Sequence, residues 1–229
     1  MSEALQKSGR LLVNGVELQA DLSGALIWPA RRLAVVADLH FEKATAFAQR
    51  GQFLPPYDTA ATLDKLEAVI ARHDVTRLIC LGDSFHDGEA ADRLDPVQGE
   101  RLKGLIARLE WTWIAGNHDP APPADLGGGI AEEITEGALT FRHEAEPDAR
   151  GGEVSGHYHP KAAVRVRGKR VSAPCFVTDG RRLILPAFGA FTGGLNVLDP
   201  AISGLFRKGF QATLLGRSGL FAFPKQALV

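Results

Sequence analysis

Two histidines, His157 and His159, stand one residue apart in the segment SGHYHP. In an extended segment, residues i and i+2 point to the same face, so both imidazoles could reach one object. Asp38 and His40 repeat this spacing in the segment ADLH. Histidine and aspartate side chains that face one point can bind a metal ion. Two surface histidines near a turn are the alternative, and the rest of the chain has to decide.

Similar side chains recur where apolar runs end. The runs in RLAVVADLH, RLICLGD and TWIAGNHD predict buried strands that lead into polar loops. Sites in open α/β sheets form at the carboxyl edge of the strands. Five of the seven histidines lie at or near such ends, and only His73 and His86 lie elsewhere. The predicted site residues are Asp38, His40, Asp83, Asn117, His118, Asp119, His143, His157 and His159.

The candidate ligand atoms restrict which metal ions could bind. Carboxylate, imidazole and amide oxygen together suit Mn²⁺, Fe²⁺ or Zn²⁺. Neither cysteine of the chain belongs to the set, which argues against a thiolate zinc site. Seven candidate ligands are too many for one ion with open positions. Two ions with one bridging carboxylate fit better, and such pairs lie about 3.5–4 Å apart around a phosphoryl group.

Helices and strands alternate in the first half of the chain. EKATAFAQRG predicts a short helix that ends at Gly51. An amphipathic helix is predicted in YDTAATLDKLEAVIARHD with Asp58 as N-cap, and another follows Asp95 with Pro96 at its first position. The second half reads as shorter strands, with loops at 120–129 and 145–153 and a tight turn in GAFTGGL near the site. This order predicts an α/β fold with one mixed sheet or two packed sheets.

Composition narrows the class of protein. The 229 residues predict a single domain over 1–229, with 45% hydrophobic residues for its core. A formal net charge of −1 provides no global attraction for polyanions, so nucleic acid would need a local patch or metal. Two isolated cysteines favour a reducing compartment. The N-terminus lacks a secretory pattern and no apolar run could span a bilayer, so a cytoplasmic location without membrane contact is expected.

The motifs D-x-H, G-D, G-N-H-D, H and G-H-x-H, in this order over residues 38–159, resemble those of the calcineurin-like metallophosphoesterases. LIWPARRLAVVADLHFEKA and RRLILPAFGAFTGGL are similar to one bacterial branch, the DNA ligase-associated metallophosphoesterases. The family resemblance implies a four-layer α/β/β/α sandwich of two mixed sheets flanked by helices. The branch resemblance implies a phosphodiesterase or endonuclease in DNA repair, and a DNA ligase, helicase or exonuclease as partner.

The same resemblance implies roles for the site residues. Asp38, His40 and His159 would hold one metal, and Asp83 would bridge. Asn117, His143 and His157 would hold a second metal, with Mn²⁺ the expected ion and Fe²⁺ or Zn²⁺ as alternatives. A metal-bridging hydroxide would attack the phosphodiester while His118 protonates the leaving oxygen, and Asp119 would orient His118. His143 could also be a core histidine.

The sequence says less about which residues contact the substrate. Lys43 follows the first motif and could meet a phosphate, but a helix-surface lysine is the simpler interpretation, and the preceding Glu42 would weaken its field. His86 could touch substrate or belong to a solvated loop. Arg165 and Arg167 alternate with valines and could contact a DNA backbone, or form an exposed charged face.

Three functions fit these residues. A two-metal phosphodiesterase acting on DNA accounts for the full ligand set. The first alternative is a phosphomonoesterase on a protein or metabolite, but the arginine that family phosphoprotein phosphatases usually place after G-D-x-x-D is replaced here by Gly88 and Glu89 following Asp87. The second alternative is a non-catalytic binding module, which the complete ligand set disfavours.

Overall fold

Two β-sheets pack against each other in the computed structural model, which describes residues 9–119, 124–149 and 151–229. The start of the N-terminal segment (1–8) and parts of both predicted loops (120–123 and 150) lie outside the described residues. Within the described residues, no helix combines the length and apolar character that a bilayer span requires.

The first sheet has seven strands in the order β1-β2-β3-β4-β5-β6-β7. Neighbours from β1 to β4 are antiparallel, whereas β4, β5, β6 and β7 are parallel. The carboxyl ends of the parallel strands therefore meet at one edge. The strands are β1 (Arg10–Val13), β2 (Val16–Ala20), β3 (Leu26–Trp28), β4 (Leu33–Val36), β5 (Arg77–Leu81), β6 (Glu110–Ile114) and β7 (Gly129–Ala131).

The second sheet follows in the chain and is also mixed. Its main path is β14-β11-β12-β13-β10-β9-β8, and β15 and β16 continue from β12. Strand β10 lies parallel to both β9 and β13. The strands are β8 (Glu133–Glu136), β9 (Leu139–Arg142), β10 (Glu153–Ser155), β11 (Pro160–Val166), β12 (Lys169–Thr178), β13 (Arg182–Ile184), β14 (Leu195–Asn196), β15 (Gln211–Gly216) and β16 (Gly219–Pro224).

Helices cover the outer faces of the sheets. The longest helix packs Leu63, Leu66 and Val69 into the apolar core that it shares with the first sheet. The last helix packs Ile202 into a second apolar core, which it shares with the second sheet. The helices are α1 (Lys43–Gln49), α2 (Asp58–Arg72), α3 (Ala90–Arg93), α4 (Pro96–Ile106) and α5 (Pro200–Ser203), with 3₁₀ turns at Pro29–Arg31, Ala124–Leu126 and Lys225–Ala227.

A third apolar core lies between the sheets. It combines Leu33 and Ile79 of the first sheet with Phe141 and Phe176 of the second, all fully buried. Helix, sheet, sheet and helix thus follow one another, which confirms the predicted fold class. Burial of these apolar side chains is what holds the two sheets, and the residues at their edges, together.

Two predicted helix caps have different outcomes. Asp95 caps α4 as expected, because its side chain accepts hydrogen bonds from Val97 N (2.9 Å) and Gln98 N (3.3 Å). The N-cap position of α2, however, is Tyr57, and Asp58 makes no capping bond to its own helix. Its Oδ2 instead accepts from Ala44 N in the first turn of α1, at 3.0 Å. The prediction for Asp58 was wrong because its partner lies on another helix.

Candidate metal centre

The first sheet delivers three segments to one edge. Asp38 and His40 follow β4, Asp83 follows β5, and the segment Asn117–Asp119 follows β6. Since β4, β5 and β6 are parallel, their carboxyl ends lie side by side. The strand-end pattern of the sequence predicts these residues at this edge, and the structure places them there.

The second sheet brings its histidines to the same place. His143 comes directly after β9, and His157 and His159 lie between β10 and β11. Strands β9 and β10 are parallel, so their ends are also adjacent. The sequence left open whether His143 is a core histidine, and the structure places it one residue beyond the end of β9, beside the other donors.

One group of donors, the first donor cluster, consists of Asp38, His40 and His159. The Nε2 atoms of His40 and His159 are 3.2 Å apart. His159 Nε2 lies 3.6 Å from Asp38 Oδ1. Asp38 and His40 are buried and His159 is partly exposed, so the cluster opens to solvent on one side.

The second donor cluster consists of Asp83, His143 and His157. His143 Nε2 lies 3.4 Å from Asp83 Oδ1 and 3.1 Å from His157 Nδ1. The side-chain oxygen of Asn117 is 2.8 Å from His143 Nε2 and 2.9 Å from His157 Nδ1, so it belongs to the same group. All seven predicted ligands therefore come together in two adjacent groups.

The two clusters are joined by a backbone contact. His157 N donates to both Asp38 Oδ1 and Oδ2, each at 3.1 Å. His143 Nδ1 lies 3.9 Å from Asp38 Oδ1. His157, which follows a strand of the second sheet, thus holds the carboxylate of Asp38, which follows a strand of the first sheet.

Five of the seven donor residues have a left-handed backbone. The φ angles are +53° for Asp38, +46° for His40, +47° for Asp83, +70° for His157 and +45° for His159. For non-glycine residues this conformation costs roughly 1–3 kcal/mol each and persists where surrounding structure enforces it. Such strain concentrates at functional sites, and nothing in the sequence motifs predicted it.

Tight backbone packing supports the first donor cluster. Gly189 N donates to Asp38 O at 3.1 Å, and a Cβ on Gly189 would lie 2.0 Å from Leu39 O. The neighbouring Phe188 N donates to Ala37 O at 2.8 Å. The segment GAFTGGL therefore lies against the first metal motif, and only glycine fits at its point of closest approach.

Burial favours the neutral form of two of the clustered imidazoles, His40 and His157, by lowering their pKa. Burial lowers the pKa of His40 to about 2, and the nearby His159 lowers it further. Burial and then His143 lower the pKa of His157. In the second donor cluster, His143 Nδ1 lies 2.8 Å from the carbonyl oxygen of Leu81, which fixes that nitrogen as the N–H and leaves Nε2 with its lone pair.

These donors fit divalent metal ions. Two ligands that bind one ion at about 2.0–2.1 Å, at angles between a right angle and tetrahedral, lie about 3.0–3.4 Å apart. The nitrogen pairs at 3.1 and 3.2 Å agree with this spacing. Neutral nitrogen atoms that point lone pairs at each other over such distances repel, and a shared cation removes that repulsion.

His118 is held beside the clusters by its own loop. Its Nδ1 lies 3.0 Å from His86 O, and its backbone N donates to Asp83 Oδ1 at 2.9 Å. The ring stacks on that of His86 with centroids 5.6 Å apart. Its Nε2 is therefore directed away from the His86 carbonyl and is available to a substrate oxygen.

Asp119 has a different place from the one expected. Its Oδ2 accepts from Ser84 N at 2.9 Å and from Phe85 N at 3.0 Å, and the partner of the His118 ring is His86 O. Burial raises the pKa of Asp119 to about 7, against these two hydrogen bonds. Asp119 thus holds the loop after Asp83, and the expectation that it orients His118 is corrected.

Two of the four candidate substrate-binding residues lie near the donor clusters, and the other two lie far from them. Lys43 begins α1 three residues after His40, and His86 packs against His40 at a centroid distance of 5.5 Å. His86 therefore lies at the rim of the clusters. Arg165 and Arg167 are exposed near the far end of β11, six and eight residues beyond His159. An extended strand rises about 3.3 Å per residue, so the part of β11 from Pro160 to Arg165 alone spans about 17 Å.

Comparison with known proteins agrees with this geometry. The family model of the calcineurin-like phosphoesterases matches residues 31–180, which contain every clustered donor. The chain belongs to the calcineurin-like phosphoesterase family. It is accordingly a metal-dependent phosphoesterase, and the resemblance identified from the sequence is confirmed.

Two solved structures resemble this phosphoesterase. The crystal structure of Pseudomonas putida nuclease MPE is 31% identical, covers 94% of this chain and 100% of its own, and has a TM-score of 0.73. Yfce, a phosphoesterase from E. coli, is 13% identical, covers 82% of this chain and 95% of its own, and has a TM-score of 0.41. A search of curated proteins finds no match.

Proposed function

We propose that this phosphoesterase is a two-metal phosphodiesterase that cleaves DNA. The observation that carries the proposal is the convergence of two donor clusters from two sheets at one edge. Asp38, His40 and His159 would hold one ion. Asn117, His143 and His157 would hold the other, and Asp83 would bridge. Manganese is the proposed ion, since the mixed nitrogen and oxygen donors suit it, with Fe²⁺ or Zn²⁺ as alternatives.

Bound metal ions would supply an activated water and positive charge at the phosphoryl oxygens. The role of the chain is to place a proton donor beside them. His118 donates Nδ1–H to His86 O, so its Nε2 is directed outward and is the atom that would pass a proton to the leaving oxygen. The hydrogen bond from its backbone to Asp83 fixes the distance between this acid and the second donor cluster.

DNA is the proposed substrate, and endonuclease action in ligase-associated repair is the proposed role. The match to a nuclease over nearly the whole chain supports a nucleic acid substrate. Lys43 acts electrostatically on His40, and Lys161 lies two residues after His159, so both bring positive charge to the clusters. A DNA ligase, helicase or exonuclease as partner rests on the branch resemblance. A cytoplasmic location is supported by two buried free cysteines, and a single domain by the core shared between the sheets.

The test compares two aspartates with the same backbone. Asp83 and Asp74 have φ of +47° and +48°, but Asp74 is 87% exposed and pairs with Arg32 instead of lying at the site. With Mn²⁺ and methyl p-nitrophenyl phosphate as diester, Asp83→Asn should lower kcat/KM more than about 100-fold, because a ligand matters more than its supporting partner. Asp74→Asn should match the wild type.

Three outcomes would contradict the proposal. Equal rates for Asp83→Asn and wild type would show that the clusters do not act in catalysis. Faster turnover of p-nitrophenyl phosphate than of the diester, with the same metal, would favour the phosphomonoesterase alternative. Wild type with full Mn²⁺ occupancy but no turnover of either ester would favour a binding module.

A further inference from the structure

A short loop runs between the two ends of the first donor cluster. At its start, Gly189 N donates to Asp38 O at 3.1 Å, and at its end Leu195 N donates to His159 O at 3.1 Å. Residue Phe191 lies in the middle of this segment. The loop that spans residues 189–194 therefore borders the first donor cluster.

A second loop reaches the same side. It joins α1 to α2, and the start of α2 is fixed to the start of α1 by two contacts. Asp58 Oδ2 accepts from Ala44 N at 3.0 Å, and Thr59 Oγ1 accepts from Glu42 N at 3.0 Å. Glu42 is two residues beyond His40, so Tyr57 is held near the same cluster.

All exposed aromatic side chains among the described residues lie in these two loops. They are Phe53 (87% exposed), Tyr57 (57%) and Phe191 (40%). We name Tyr57 and Phe191 the aromatic pair, because their rings meet edge to face with centroids 5.8 Å apart. The other aromatic side chains described in the chain are partly or fully buried. A patch of exposed rings is therefore a candidate ligand-binding surface.

The backbone of Phe191 supports a functional interpretation. Its φ is +57°, a conformation that is uncommon for a bulky residue and costs free energy. Asparagine or glycine would relieve that strain, yet the chain carries a phenylalanine that stays 40% exposed. Thr62 Oγ1 accepts from Ala190 N at 3.0 Å and fixes the loop that presents the ring.

The geometry points to a base-binding subsite, an inference that rests on the proposed function. We propose that the aromatic pair stacks on an unpaired nucleobase of the strand whose phosphodiester lies at the metal centre. Flat rings stack on any base, so the contact would be sequence-tolerant. Lys161 packs its side chain stem against Gly194 of the same loop and provides a positive charge for the adjoining phosphate.

The test measures cleavage with and without bases. Wild type, Tyr57→Leu and Phe191→Leu would be given Mn²⁺ and two oligonucleotides of equal length, one normal and one abasic around the cut. Leucine keeps the apolar volume, and at position 191 it keeps the backbone strain, but it cannot stack. Wild type should show a kcat/KM ratio between normal and abasic strands of roughly 5- to 100-fold, and each leucine variant should bring this ratio near one.

Controls separate the subsite from folding and from the activity itself. Tyr57→Phe keeps a stacking ring and should keep the ratio, as should Val171→Ala, which shortens an exposed apolar side chain on β12. If wild type cleaves oligonucleotides but the leucine variants keep its ratio, the subsite is refuted. If wild type cleaves no oligonucleotide yet hydrolyses the small diester, DNA as substrate is refuted instead.

Discussion

The two donor clusters are positioned by different physical means. In the second donor cluster, side chains are fixed by hydrogen bonds: Leu81 O holds His143, and Asp119 holds the loop after Asp83. In the first donor cluster, the buried Nδ1 of His40 has no hydrogen-bond partner among the described residues. The segment that carries Asp38 and His40 is fixed instead by the close contact of Gly189, and the Asp38 carboxylate accepts hydrogen bonds from His157 N. Both clusters use hydrogen bonds and left-handed backbone, but the first also depends on close backbone packing against Gly189.

The largest effect is expected when backbone packing at the first donor cluster is broken. Gly189→Ala places a Cβ 2.0 Å from Leu39 O, so the segment carrying Asp38 and His40 must shift. We expect loss of one of two Mn²⁺ ions, measured by metal analysis, and a fall in diesterase activity of more than about 100-fold. The free energy of unfolding should fall by about 1–3 kcal/mol.

Gly104→Ala provides the control for that change. Gly104 lies within α4, and a Cβ there would meet nothing within 4 Å. Since alanine favours a helix over glycine, stability should rise by up to about 1 kcal/mol with both ions retained. Retention of both ions and of activity by Gly189→Ala would refute the role given to backbone packing.

A smaller effect is expected at the second donor cluster. Asp119→Ala removes the acceptor of Ser84 N and Phe85 N, so the loop after Asp83 loosens. We expect Mn²⁺ affinity to fall about 10- to 100-fold, measured by titration calorimetry. Asp179→Ala is matched, because Asp179 accepts from two successive backbone N–H groups of Arg181 and Arg182 away from the clusters. An equal loss of affinity in Asp179→Ala would show that the effect is a general one on stability.

The smallest effect is expected at α1, the helix that begins three residues after His40. Asp58→Ala leaves Ala44 N without its acceptor, and Asp95→Ala removes the cap of α4. Each change should cost about 1 kcal/mol of unfolding free energy in chemical denaturation. Only Asp58→Ala should also weaken Mn²⁺ binding, by less than about 10-fold. If both variants bind Mn²⁺ with the same affinity, the position of α1 does not affect the metal centre.

The sequence predicted what depends on local pattern. Strand ends with polar residues located the edge, and the order of motifs located all seven donors. The cap at Asp95 was predictable because its partners lie two and three residues away. The partner of Asp58 lies 14 residues upstream, and that of Asp119 lies 34 or 35 residues away. Such contacts depend on how helices and loops meet in space.

The aromatic pair illustrates the same limit. Tyr57 and Phe191 are 134 positions apart in the chain, and no periodicity relates them. The left-handed φ of Phe191 also escaped prediction, because left-handed positions are usually expected at glycine, asparagine or aspartate. The three glycines around it in GAFTGGL were the available signal.

The hydrogen bonds from His157 N to the carboxylate of Asp38 have a consequence for biosynthesis. They tie the first motif to one made more than a hundred residues later, and the bordering loop is made later still. A chain still emerging from the ribosome has only part of each donor cluster, so the phosphoesterase site cannot yet form. The site is complete only after the loop that ends at Leu195 has been made.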